Sequence, residues 1–214
     1  MSITIHYKGK IKDISQRDAL TEELADICKS LDWKYQTIKR GTETCLAYQY
    51  TDEPNSKGEK VEVQFSGIIF TPPGAETVVM IISNGGWIVS PLGLSHFGNE
   101  TSSNFKEFAY MQFVKTQFAG PEIHIALIKL FKYLSAKYFD FFQVNDEADY
   151  WETMDKEMLY GKFKFMDNLL NKVESWLNSE IFSDANNLED IVDKIEKLLI
   201  QRKRKLDDDK KNKG

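Results

Sequence analysis

His124 is the residue that type and neighbourhood best equip for chemistry, and four carboxylates follow it at Asp146, Glu147, Asp149 and Glu152. It falls one turn into an expected helix. There the positive end of the dipole favours the neutral ring, which can act as base or ligand. If the acidic stretch returns to that helix end, His124 with Asp146, Glu147 or Glu152 makes a general-base site of the kind a small hydrolase uses. The same residues admit a structural reading, with His124 a core histidine bonded to backbone and the carboxylates a solvated turn. No HxxxH, HExxH or second nearby histidine accompanies it, so no metal and no cofactor is expected.

Two further groups could bind. Lys115, Thr116 and Gln117 precede Gly120-Pro121, placing polar side chains at a helix N-terminus where an anion could sit. The stretch lacks the glycines of a phosphate loop, and ordinary capping explains it equally. No GxxxxGK[ST], GxGxxG or GxSxG occurs in the chain. Tyr150 and Trp151 stand beside Glu147 and Glu152, an acidic aromatic combination suited to protein recognition. Alternatively they anchor the loop in the core. Cys28 falls on or beside an apolar helical stripe and is expected to be inert.

The elements that must position these residues follow from periodicity. Pro121 fits the first turn of a helix, and Glu122 suits its dipole. Ile123, Leu127, Leu130 and Leu134 make one apolar face over roughly residues 121–138. The spacing predicts Leu127, Leu130 and Leu134 as almost fully buried and Lys132 as exposed. Tyr138–Val144 reads as a strand, 145–149 as a turn and 150–177 as helical, with Thr153 or Asp155 as a cap. Upstream, Ile3, Ile5 and Tyr7 alternate with Thr4, His6 and Lys8 as a half-buried strand. Ser15 is expected to cap a helix whose buried stripe is Leu20, Leu24, Ile27 and Leu31. Trp33–Lys39 reads as a second strand and 41–59 as a polar loop. Strands near 61–70 and 78–82, the turn Pro72-Pro73-Gly74 and a return at Trp87 through Asn84-Gly85-Gly86 make an antiparallel meander. Residues 90–103 read as an exposed excursion.

The fold expected is therefore α+β: a strand-helix-strand start leading into a mainly antiparallel sheet, packed against a buried central helix and C-terminal helices. Residues 1–182 form the expected domain, 183–206 an appended helix and 207–214 a disordered tail. The chain has 214 residues, 42% hydrophobic, enough for a full core. No apolar run reaches membrane-spanning length and no signal-peptide segment opens the chain, so no membrane partner is expected. Two cysteines, Cys28 and Cys45, fit a reducing cytoplasm. The net charge is −5; residues 201–214 carry seven Lys/Arg against three Asp, a basic end of +4 that leaves −9 for the body. That balance argues against a nucleic-acid binder.

The pairing of KTQFAGPEIHIALIKLFKYLSAKYF with VNDEADYWET, together with ITIHYKGKIKD and Trp33-Lys34-Tyr35, resembles an uncharacterised family of bacterial proteins. The resemblance covers most of residues 1–177. It implies a bacterial cytoplasmic protein and brings no activity, cofactor or catalytic residue. The functional expectation is a non-catalytic protein-interaction or regulatory module with another protein as partner. The alternative is the small hydrolase-like enzyme built on His124.

Overall fold

A computed structural model describes residues 2–45, 61–97 and 110–177. The chain divides into two compact units, Met1–Phe163 and Lys164–Gly214. The expected appended helix 183–206, the tail 207–214 and most of the expected loop at 41–59 lie outside the described residues.

The first unit is α+β. Strand β1 (Thr4–Ile11) is followed by a short 3-10 turn and helix α1 (Arg17–Ser30), then strands β2 (Lys34–Cys45), β3 (Val61–Thr71) and β4 (Val78–Ser83). Helix α2 (Pro91–Phe97), strand β5 (Gln112–Lys115), helix α3 (Pro121–Tyr138), strand β6 (Phe139–Asp146) and the short helix α4 (Tyr150–Thr153) complete it. Helix α5 (Lys156–Leu177) carries the chain into the second unit. All strand pairs are antiparallel, in two three-stranded sheets ordered β5-β1-β6 and β2-β3-β4.

Trp87–Ile88 joins the sheets. Ser83 N donates to Trp87 O at 2.9 Å on the β4 side, and Ile88 N donates to Gly9 O at 2.9 Å on the β1 side. The Asn84-Gly85-Gly86 turn thus returns the chain as expected, and the returning segment bridges two sheets. Tyr7 reinforces the junction: its phenol donates to Val79 O at 3.0 Å and accepts from Val79 N at 2.9 Å. Burial holds the Tyr7 phenol far above its usual pKa.

Helix α3 covers the inner side of β1 and β6. Phe131 packs on Tyr7 with ring centroids 4.8 Å apart and on Phe142 at 5.8 Å. Its buried face is His124, Leu127, Ile128, Phe131, Leu134 and Tyr138. Leu127 and Leu134 are buried as the spacing predicts, but Leu130 is only half-buried. The helix is turned so that Ile128 and Phe131, not Leu130, complete the stripe. Lys132 is half-buried too, its ammonium 4.3 Å above the Trp151 ring.

Four other expectations shift. Asp13, not Ser15, provides the cap before α1, accepting from Ser15 N at 2.9 Å. Ala25 and Cys28 complete the α1 stripe with Leu20 and Leu24, because Ile27 is only half-buried and Leu31 lies past the helix end and is exposed. β2 runs on to Cys45, so Gly41 is strand; a Cβ there would sit 2.1 Å from the Phe65 ring. Residues 91–97 are helix α2 instead of an open excursion. Pro91 suits its first turn, Ser90 caps it through Gly93 N at 3.3 Å, and Leu94 is its buried anchor.

Candidate functional site

Three chain segments converge at the N-terminal end of α3. β5 delivers Thr116 just past its last residue. Gly120, at φ 86°, turns the chain into Pro121, and His124 follows in the first helical turn. β6 ends on Asp146, directly before the turn into α4. The Thr116 hydroxyl lies 2.8 Å from His124 Nδ1, and Asp146 Oδ2 lies 3.1 Å from His124 Nε2. Thr116 of the second group singled out in the sequence therefore joins His124 and Asp146 of the first, which residue spacing alone could not reveal.

Asp146 has further duties. Its Oδ1 accepts from Ala148 N at 2.8 Å, and its Oδ2 accepts from Tyr150 N at 2.8 Å and Trp151 N at 3.0 Å. It caps α4 from outside, a task the residue next to that helix, Asp149, does not perform with its side chain. Burial alone would raise the Asp146 pKa. The His124 ring and the backbone N–H groups of Ala148 and Trp151 outweigh burial and hold the carboxyl below its usual value.

The protons can be placed consistently. An ionised Asp146 only accepts, so His124 Nε2 carries a hydrogen. Nδ1 of the neutral ring then accepts from the Thr116 hydroxyl, and Ile3 O takes the Thr116 N–H at 2.9 Å. A charged ring is accommodated as well: Nδ1–H donates to Thr116, whose hydroxyl turns to Ile3 O at 3.3 Å. Both protonation states find partners without any side chain moving.

A hydroxyl, an imidazole and a carboxylate in series have the order of an acyl-transfer relay. Here that series is closed off from solvent. The relative exposures of Thr116, His124 and Asp146 are 0%, 0% and 2%. Tyr150 and Phe163 close over the ring edge-on, with centroids 6.4 and 5.8 Å away. What the arrangement does chemically is to tie β1, β5, α3, β6 and α4 together through one satisfied polar cluster.

The remaining candidates lie elsewhere. Glu147 points away from His124 and out of the core: its Oε2 accepts from Ser2 Oγ at 2.8 Å and Thr4 N at 3.0 Å, and its Oε1 is 3.6 Å from His6 Nε2. Glu152 is exposed, and Asp149 pairs with Lys162. Lys115 and Gln117 are half-buried, while Thr116 between them is committed to His124. Tyr150 is buried and Trp151 half-buried beneath Lys132, so this pair serves more as a loop anchor than as an open surface. Among the described residues no group of three or more His, Cys, Asp or Glu could hold a metal ion.

Residues not singled out in the sequence form an open surface that mixes rings, lysines and amides. On the outer side of the β5-β1-β6 sheet, His6 is paired with Phe113 and Asn145, Lys8 with Gln143 and Lys10 with Phe141. The signal was present as the polar half of the β1 alternation. Its aromatic half comes from strands distant in sequence. No family model, curated protein or solved structure matches the chain.

Proposed function

We propose that the protein is a non-catalytic protein-interaction or regulatory module. One observation carries this reading: the Thr116–His124–Asp146 series, which has the order of a catalytic relay, is sealed from solvent. A nucleophile or base must reach its substrate, and a group with no exposed surface cannot. The first unit also presents an open sheet face of rings, lysines and amides, a composition that binds. A bacterial cytoplasmic setting belongs to the same proposal, supported by the two cysteines and the resemblance noted above.

The hydrolase alternative keeps the 3.1 Å His124–Asp146 contact in its favour. It requires Tyr150 and Phe163 to open in solution. The deciding experiment is a broad panel of phosphoester, ester, peptide and nucleotide substrates. No turnover is the expected outcome. Robust turnover that is lost in His124→Ala, with the circular dichroism spectrum intact, would sink the proposal.

A further inference from the structure

The outer face of the β5-β1-β6 sheet carries His6, Lys8, Lys10, Phe113, Phe141, Gln143 and Asn145. Phe113 is 59% and Phe141 40% exposed. The Lys8 ammonium stands 6.0 Å from the Phe141 ring centroid, and that of Lys10 stands 5.6 Å from the Trp87 centroid. Among the described residues neither lysine makes an ion pair. The carboxylates nearest in the strand register lie at the two ends of the face. Glu147 is held by Ser2 and Thr4, and Asp140 is the extra residue where the β1–β6 register shifts. The centre of the face is thus cationic and aromatic, without an aliphatic side chain, on a chain whose net charge is −5.

We propose that this face docks an acidic, aromatic-bearing extended segment of a partner protein. The assignment rests on reading the chain as an interaction module, and it names the class of partner. Lys8 and Lys10 are two residues apart on one strand, about 7 Å. Alternate side chains of an extended segment repeat at the same distance, so two carboxylates on one of its faces meet both ammonium groups. Aromatic side chains on that same face, two residues before or after the carboxylates, reach Phe113 and Phe141, where edge or offset ring contacts form. A single-stranded nucleic acid fits less well. It needs a basic groove along its backbone, and two lysines flanked by Asp140 and Glu147 neutralise only about two phosphates.

The test uses the full chain and fluorescence anisotropy with a labelled glutamate–tyrosine copolymer, with polyglutamate and oligo-dT in parallel. The copolymer is expected to bind more tightly than polyglutamate and to weaken with added salt. Binding should fall at least about tenfold in Lys8→Glu/Lys10→Glu and in Phe113→Ser/Phe141→Ser, the scale of losing one or two central contacts. Lys8→Gln/Lys10→Gln, a gentler pair, should lose affinity in the same direction if charge reversal disturbs folding. No copolymer binding at low salt, or binding that all three variants retain, overturns the proposal. So does tighter binding of oligo-dT that the same variants abolish, which gives the face to nucleic acid. Self-association in sedimentation that Lys8→Glu/Lys10→Glu abolishes overturns it too, in favour of a second copy. These failures leave the non-catalytic reading standing, since that falls only to substrate turnover.

Discussion

Removing the Asp146 carboxylate should expose how much the polar cluster contributes. In Asp146→Ala, three backbone N–H groups, now 2.8, 2.8 and 3.0 Å from its oxygens, lose their acceptor, and so does His124 Nε2 at 3.1 Å. Each stranded buried donor costs about 1–3 kcal/mol, and because the four share one acceptor group a loss at the low end of their sum, about 3–5 kcal/mol, is expected. That is a large part of the roughly 5–15 kcal/mol of a typical domain. Asp146→Asn keeps one acceptor oxygen but turns an NH₂ towards the donors, and about 1–3 kcal/mol is expected. The pH dependence has a definite sign. The folded pKa of Asp146 is below its unfolded value, so its contribution is complete above the unfolded pKa of about 3.9 and is lost as pH falls through the lower, folded pKa. Urea melts at neutral pH and at a series of acid values measure both effects. A loss below about 1 kcal/mol in Asp146→Ala, or an acid-side decline unchanged in Asp146→Asn, refutes the reasoning.

The turn of helix α3 can be checked by paired truncations. Leu127→Ala should cost about 2–5 kcal/mol, as for a buried leucine, and Leu130→Ala distinctly less; equal shifts in the urea midpoint would contradict the helix orientation. Tyr7→Phe removes a hydroxyl that serves both Val79 N and Val79 O, and a loss of about 1–3 kcal/mol is expected in the same assay. Lys132→Ala should cost about 0.5–1 kcal/mol through its contact with Trp151, and the effect should vanish in a Trp151→Ala background.

Much of the fold was legible because its signals are local. Alternation located β1, Gly120-Pro121 located the start of α3, and Asn84-Gly85-Gly86 located the return at Trp87. The errors arose where a neighbour decides. Leu130 has helical spacing as good as that of Phe131, but the aromatic rings Tyr7 and Phe142 select Phe131. Gly41 looks like a loop glycine until Phe65 is seen lying on it. For the site, His124 and Asp146 were paired in the sequence and do meet. Thr116 was noted for another purpose, and its contact with His124 depends on how β5 enters α3. Burial of the cluster depends on Tyr150 and Phe163 together, and no local pattern encodes that.

The buried cluster and the open sheet face are connected through strand register. Thr116 N and its hydroxyl both reach Ile3 O, while Glu147 N donates to Thr4 O at 3.1 Å, so the start of β1 is fixed from β5 on one edge and from β6 on the other. A one-residue slip of β1 would turn Ile5 and Tyr7 outward and bury His6 and Lys8. It would also pull Ile3 O away from Thr116. The His124–Asp146 pair holds both anchoring ends in place, since His124 fixes Thr116 and Asp146 fixes the turn that carries Glu147. A polar cluster sealed in a core contributes less to net stability than to the choice of one register over its neighbours, the role we assign it here. The consequence is measurable. Thr116→Val should reduce copolymer affinity in proportion to the loss of hydrogen-exchange protection along β1, although residue 116 is fully buried. Protection lost along β1 with copolymer affinity unchanged would separate the cluster from the face and refute this connection.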